Sequence, residues 1–481
     1  MNTTDITQKR KNSGGYLLVL VLVFGAIFLV MISSFVGFVV TQNQVVNFRF
    51  EQQRATDIAE AGLNYYRWFL AHNPDDVTNG TGVPGPYVYE YVDPEGAAIG
   101  EYSLDVASSS YCGSISDITV TSTGSTYQNP AALSRISGRY AKPTVAEYSF
   151  ITNAGVRYGA SSVVQGPIHS NQGIRMDASH NSTVSSVQST TTCDSSFGCS
   201  PSQQQPGVYT LAGTPNPGLF EYPATLIDFT RLALNLGDMK TRAENNGGIY
   251  YGPAPGSNFG YRLTFNGNNT VTIRRVTGTV ADYLSESTRE GVHFGERNVI
   301  TTTSLVATRT INPACPLIYI EDKVWIEGVV NQKVAVAAAD LVESGNTPMV
   351  LNGNITYAAG SNAGLLAIAE GDIDVGLQVP NNMTISGIFI SQDGRYGRNH
   401  YTAANVGSSL APYVIRNRLE LLGTIVTKER AGTRWVNSSG VTLSGFNTGS
   451  SSFDRAQVDN PPPLIPATSE ISTFSNWNQE G

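Results

Sequence analysis

The carboxylates of EGDIDV, Glu370, Asp372 and Asp374, have the spacing in this sequence best suited to chemistry. Side chains alternate along a strand, so residues two apart share one side. Enzymes that cleave polysaccharides need such a cluster, with Arg, Lys or calcium to stabilise charge. No base lies near EGDIDV in sequence, and the neighbouring apolar runs add only Glu327. A solvated, charged outer face is therefore the reading the sequence favours. Five histidines (72, 169, 180, 293, 400) are scattered, without HExxH, and no GxSxG occurs. The expectation is no catalytic residue, no metal, no cofactor and no enzyme. His169, in GPIHSNQG, is a candidate metal or receptor ligand; a hydrogen-bonded histidine at a chain corner is the plainer reading. Cys193 and Cys199, in TTTCDSSFGCSPS, can close a small disulfide ring. Free thiols and metal binding remain alternatives, although zinc would need a second pair or nearby histidine. Spacing alone does not pair Cys112 with Cys315.

The elements that must position these residues are β-rich. The chain has 481 residues, enough for two or three domains. Charged residues make up 14%, against roughly 25% in an average domain. Gly, Ser, Thr and Asn replace them, which suits an extracytoplasmic β surface. A net charge of −8 gives no electrostatic footprint for nucleic acid.

The amino terminus is different. From Tyr16 to Val40 no residue is charged, and these 25 residues make about 37 Å of helix, enough to cross a hydrocarbon core of about 30 Å. Lys9, Arg10 and Lys11 precede the run, so residues 1–15 are expected in the cytoplasm and the remainder outside it. The helical pattern continues: Ala55, Ile58, Ala59, Gly62, Leu63, Tyr66, Phe69 and Leu70 share one face, with Asp57, Glu60, Asn64 and Arg67 opposite. Pro74 ends it. One helix over 16–73 would be about 85 Å long.

A short basic leader ending in Gly15, an apolar run from Tyr16, and QQRATDIAEAGLNYYRW (52–68) together resemble type IV pilins, in particular PilX-like minor pilins. The resemblance implies cleavage between Gly15 and Tyr16 by a prepilin peptidase. It also implies major and other minor pilins as partners, and a single pass through the cytoplasmic membrane. Major pilins carry a glutamate where this chain has Leu20. Its absence removes a charge that docks successive subunits, and favours a priming or tip position over a fibre repeat.

PYVYEYV, GEYSLDV, DITVTSTG and SRISGRYA alternate apolar and polar residues, which predicts a small antiparallel sheet over 74–146. Beyond 147, short apolar runs recur with glycines 353, 371, 387 and 423 at their corners, 18, 16 and 36 residues apart. That spacing predicts coils of 16–18 residues, stacked to bury what one coil cannot. The runs resemble the β-helix of bactofilins. A β-sandwich is the alternative.

The expected fold is thus mainly β with one long N-terminal helix: a pilin-like α+β module, then a right-handed parallel β-helix-like domain over 147–445. A helix and hairpin would be inserted at about 207–315, and 446–481 would form an extended Ser/Pro-rich tail. The expected role is a large minor pilin that primes or tips a fibre and presents an adhesive ectodomain to a surface receptor or glycan at the cell surface. The alternatives are a permanently anchored adhesin or a pseudopilin of a secretion or DNA-uptake system, and a β-helical polysaccharide-degrading enzyme.

Overall fold

A computed structural model describes residues 14–73, 76–212, 215–280, 283–287, 291–342, 346–437, 439–469 and 471–480. The leader up to residue 13, with Lys9, Arg10 and Lys11, lies outside the described residues. The chain is mainly β, with one long N-terminal helix. It divides into two units: 1–107, 119–139 and 474–481 form the first, and 108–118 with 140–473 form the second.

In the first unit the helix Gly14–His72 runs unbroken. Residues 15–50 are exposed throughout, whereas the eight apolar positions from Ala55 to Leu70 are buried and Asp57, Glu60, Asn64 and Arg67 are exposed. The small residues of the AEAGL segment have a steric cause. A Cβ on Gly62 would stand 2.4 Å from Ser122 Oγ, and one on Gly124 would stand 2.1 Å from the carbonyl oxygen of Ala55. Helix and sheet touch backbone to backbone. That sheet has five strands: Tyr87–Val92, Ala98–Tyr111, Ser114–Thr126, Leu133–Ala141 and, last, Thr473–Glu480. The tip of its central hairpin, 108–118, groups with the second unit, where Cys112 is bonded to Cys315.

Parallel ladders build the second unit. One passes through 249–251, 317–320, 333–338, 364–369, 388–391, 424–427, 150–152, 168–170, 184–186 and 220–221. Another passes through 261–266, 324–330, 349–357, 382–386, 415–422, 442–452, 162–165 and 179–180. These ladders are the faces of stacked coils. Ile326, Ile355, Ile373, Ile385 and Ile425 all point into one apolar interior with Phe150, Ile168 and Val184.

Spatial order and chain order differ. The chain enters the stack at 150–152, in the middle, and winds outward to 220–221. It then runs back along the flank: Ala224 bonds to Ser186, Ile227 to Asn171, Leu234 to Gln392 and Lys240 to Glu321. Starting again at 249–251, it winds from the opposite end until 424–427 pairs with 150–152. Helices over 229–232 and 236–245 lie on this returning segment. Leu226, ahead of the first of these helices, is 60% exposed.

Three expectations need correction. The 16–18-residue coil holds at Phe150, Ile168 and Val184, which pair in succession, but later coils carry loops of varied length. Gly387 and Gly423 are equivalent, paired in register at a bend with φ of 153° and 136°; Gly353 and Gly371 occupy other positions. The segment 207–315 is not wholly an insertion, since 208–209, 249–251 and 261–266 join the ladders. Residues 446–481 do not form an extended tail. They complete the strand Thr442–Ser452, form a helix over Arg455–Asp459, and end in Thr473–Glu480 of the first unit's sheet. Low-complexity composition hid strands whose partners lie hundreds of residues away.

Candidate functional site

The EGDIDV carboxylates do not form a solvated face. Glu370 is 8% exposed and accepts from Asp340 N at 3.1 Å and Thr347 Oγ1 at 3.0 Å. Asp372 Oδ1 accepts the backbone N–H of Arg395 at 2.8 Å, while Asp374 Oδ1 meets the Arg395 guanidinium at 3.2 Å. The cation missing from the local sequence comes from the next coil. Burial pushes the Asp374 carboxyl upward, and Arg395 pulls it the other way.

Arg395 opens onto a buried polar network that sequence reasoning missed. It donates to Asn399 Oδ1. Asn399 donates to Glu296 Oε2 at 3.0 Å, and Glu296 Oε1 accepts from Tyr283, Asn298 and Tyr401 at 3.0, 2.8 and 2.9 Å. Arg398, fully buried, donates to the carbonyls of Gly376, Leu377 and Tyr413. RYGRNHY supplies most of these groups, and its density of Arg, Asn and Tyr in an apolar region was the available signal. Glu296 is met by four donors, an arrangement that fixes the loops carrying them.

His169 is 3% exposed. Its Nδ1 lies 2.9 Å from Ser185 Oγ and its Nε2 3.1 Å from Asn171 Oδ1, with Tyr148 edge-on to the ring. Burial holds this imidazole below its ordinary value. Asn171 also receives the N–H of Ile227 at 3.2 Å, so the cluster pins the returning segment to the stack. Among the described residues no group of three or more His, Cys, Asp or Glu is placed to hold a metal ion.

Cys193 and Cys199 are disulfide-bonded and close a ring over Asp194–Gly198. Asp194 accepts from the N–H groups of Ser196 and Phe197 and so shapes the ring's turn. Arg175 donates to the Phe197 carbonyl, and Arg430 to Ser196 O at 3.1 Å.

Gly15, Tyr16 and Leu20 lie in the exposed first turns of the long helix, with Tyr16 78% and Leu20 41% exposed. That helix is long and apolar enough to cross a membrane. In the same unit Glu51, unremarked in the sequence, is buried and accepts from Thr126 Oγ1 at 2.6 Å.

These features define a class by fold: a β-rich chain led by one long apolar helix. No family model matches the sequence, and no curated protein matches it. Among solved structures, the chain is similar to the competence-associated pilin ComZ from Thermus thermophilus, at 12% identity, with 89% of this chain and 97% of that one covered and a TM-score of 0.30. At that score the likeness decides neither fold nor role.

Proposed function

We infer that this chain is a large pilin-like minor subunit that primes or tips a type IV pilus-like fibre and presents its second unit as an adhesive domain at the cell surface. The observation that carries the reading is the division along one helix. Residues 15–50 are exposed, with no charge over 16–40, and one face of the helix from Glu51 to Leu70 is buried under an antiparallel sheet. A helix of this kind needs lipid or the helices of other subunits around its first half. Leu20 supports a terminal place in the fibre, because a leucine there forms no ion pair with the amino terminus of an earlier subunit. The remaining partners in this reading are the cytoplasmic membrane, a prepilin peptidase cutting after Gly15, and a surface receptor or glycan. Nucleic acid is not among them.

The reading assigns no catalytic activity. The best-spaced carboxylates, Glu370, Asp372 and Asp374, are already engaged by Thr347, backbone N–H groups and Arg395. Intact-mass analysis of the membrane-extracted chain tests the leader: Tyr16 should be the first residue. Shearing tests the fibre: the chain should appear in the sheared fraction. An uncut leader and retention in the membrane would favour a permanently anchored adhesin. Release of sugars from a glycan mixture would favour an enzyme.

A further inference from the structure

Val156 and Ile174 point into the apolar interior, so the alternate residues Arg157 and Arg175 point outward from adjacent coils. They are in register, and Tyr209 follows Arg175 on the next coil. Paired strands lie about 4.8 Å apart, and like charges opposite one another are unfavourable unless each is met.

Arg175 is met. Asp177 Oδ2 accepts from its Nε at 2.8 Å and its Nη2 at 2.6 Å, and the Phe197 carbonyl accepts from Nη1. Arg430 stacks 4.3 Å from the Phe197 ring centre and donates to Ser196. Arg434 donates to Ser161, Thr442 and Gly440. Arg157 has no hydrogen bond or ion pair among the described residues. The nearby carboxylates are occupied elsewhere. Asp177 Oδ1 accepts from Thr210 Oγ1, Leu211 N and Ala212 N, and Asp194 Oδ1 from Ser196 and Phe197. Partial burial and the adjacent Arg175 both lower the proton affinity of Arg157, and Asp177, already bonded to Arg175, only partly opposes them. A neutral residue would suit the stack better.

We propose that Arg157, with Arg430 beside it on the Cys193–Cys199 ring, binds an oxyanion: the carboxylate or sulfate group of an acidic polysaccharide. Planar guanidinium groups bind both oxyanions through paired N–H donors. The choice of a polysaccharide rests on the reading of the second unit as a presented domain; the oxyanion site stands on the geometry alone.

The test uses the full chain in detergent micelles. In chloride buffer, Arg157→Gln should unfold at a higher temperature than the native chain, because it removes an unmet charge. A lower temperature would assign Arg157 to the fold and overturn the proposal. Exchanging chloride for sulfate at equal ionic strength should raise the native chain's unfolding temperature more than that of Arg157→Gln. An equal rise would overturn the site. On immobilised polygalacturonate and dextran sulfate, with neutral dextran as reference, Arg157→Gln should be retained at least tenfold more weakly on one polymer. The polymer affected identifies the carboxylate or sulfate source. Equal retention of both proteins would overturn the polysaccharide assignment. Absence from sheared fibres would count against presentation alone.

Discussion

Thr424 donates its hydroxyl to the carbonyl of Tyr148 at 2.6 Å, across 276 residues of chain, and beside it Ile425 pairs in parallel with Phe150. This is where the two runs of coils become one stack. Phe150 is 6% exposed, so Phe150→Ala should cost about 3–5 kcal/mol by removing the ring from the interior. Because Ile425 touches the same cavity, the double variant with Ile425→Ala should depart from additivity by about 0.5–3 kcal/mol. Denaturant unfolding of the full chain checks both values.

The two disulfides should differ in weight. Cys112–Cys315 joins residues 203 apart, and Cys193–Cys199 residues 6 apart. By loop-closure entropy the first contributes about 5.4 kcal/mol and the second about 2.4 kcal/mol. Paired Cys→Ser variants compared by urea midpoint should show that order.

His169 should make stability depend on pH. Burial lowers its proton affinity in the fold, so on acidification the unfolded chain takes up the proton first, near pH 6.5. Stability should therefore fall as pH drops through about 6.5 and level off below the folded value. The hydrogen bond to Asn171 and, less strongly, Glu221 oppose the effect. Melting temperatures at pH 8 and pH 5 should differ less in His169→Gln than in the native chain.

Arg395→Met should cost about 3–5 kcal/mol, because it leaves Asp374 partly buried without its cation and releases Asn399. Adding Asp374→Asn should recover part of that loss. Thermal unfolding of the three variants decides this.

Thr144 pairs with Ala467, Val145 N donates to Pro466 O, and Thr468 N to Pro143 O, so the chain enters and leaves the second unit side by side. Replacing 146–465 with a short Gly/Ser linker should therefore preserve the sheet containing Thr473–Glu480. Excision ending at 445 should be less well tolerated, since it strands half of Thr442–Ser452. Protease resistance of the remaining unit distinguishes the two deletions.

What the sequence disclosed followed from period. The helix to His72 and its buried face from Ala55 to Leu70 could be read because spacings of three and four are local. Strand alternation likewise marked the sheet. Pairings such as Ile425 with Phe150 left no local trace. The Asp374–Arg395 contact was hidden for a related reason: coil length varies with loop length, so the residue one coil on cannot be found by counting. In GPIHSNQG the histidine lies two residues from its partner Asn171, but its other partner, Ser185, lies one coil onward and left no local trace.

The route of the chain through the stack also sets a timetable for folding. Synthesis from the amino terminus delivers coils 150–186 well before 415–427, the segment that covers their inner edge. During that interval the strand Phe150–Thr152 offers an unpaired backbone edge beside apolar side chains, the kind of surface that recruits chaperones or captures a neighbouring chain. Folding of this chain is thus paced by the arrival of its last coils, and a chain truncated before residue 415 would leave that edge permanently open.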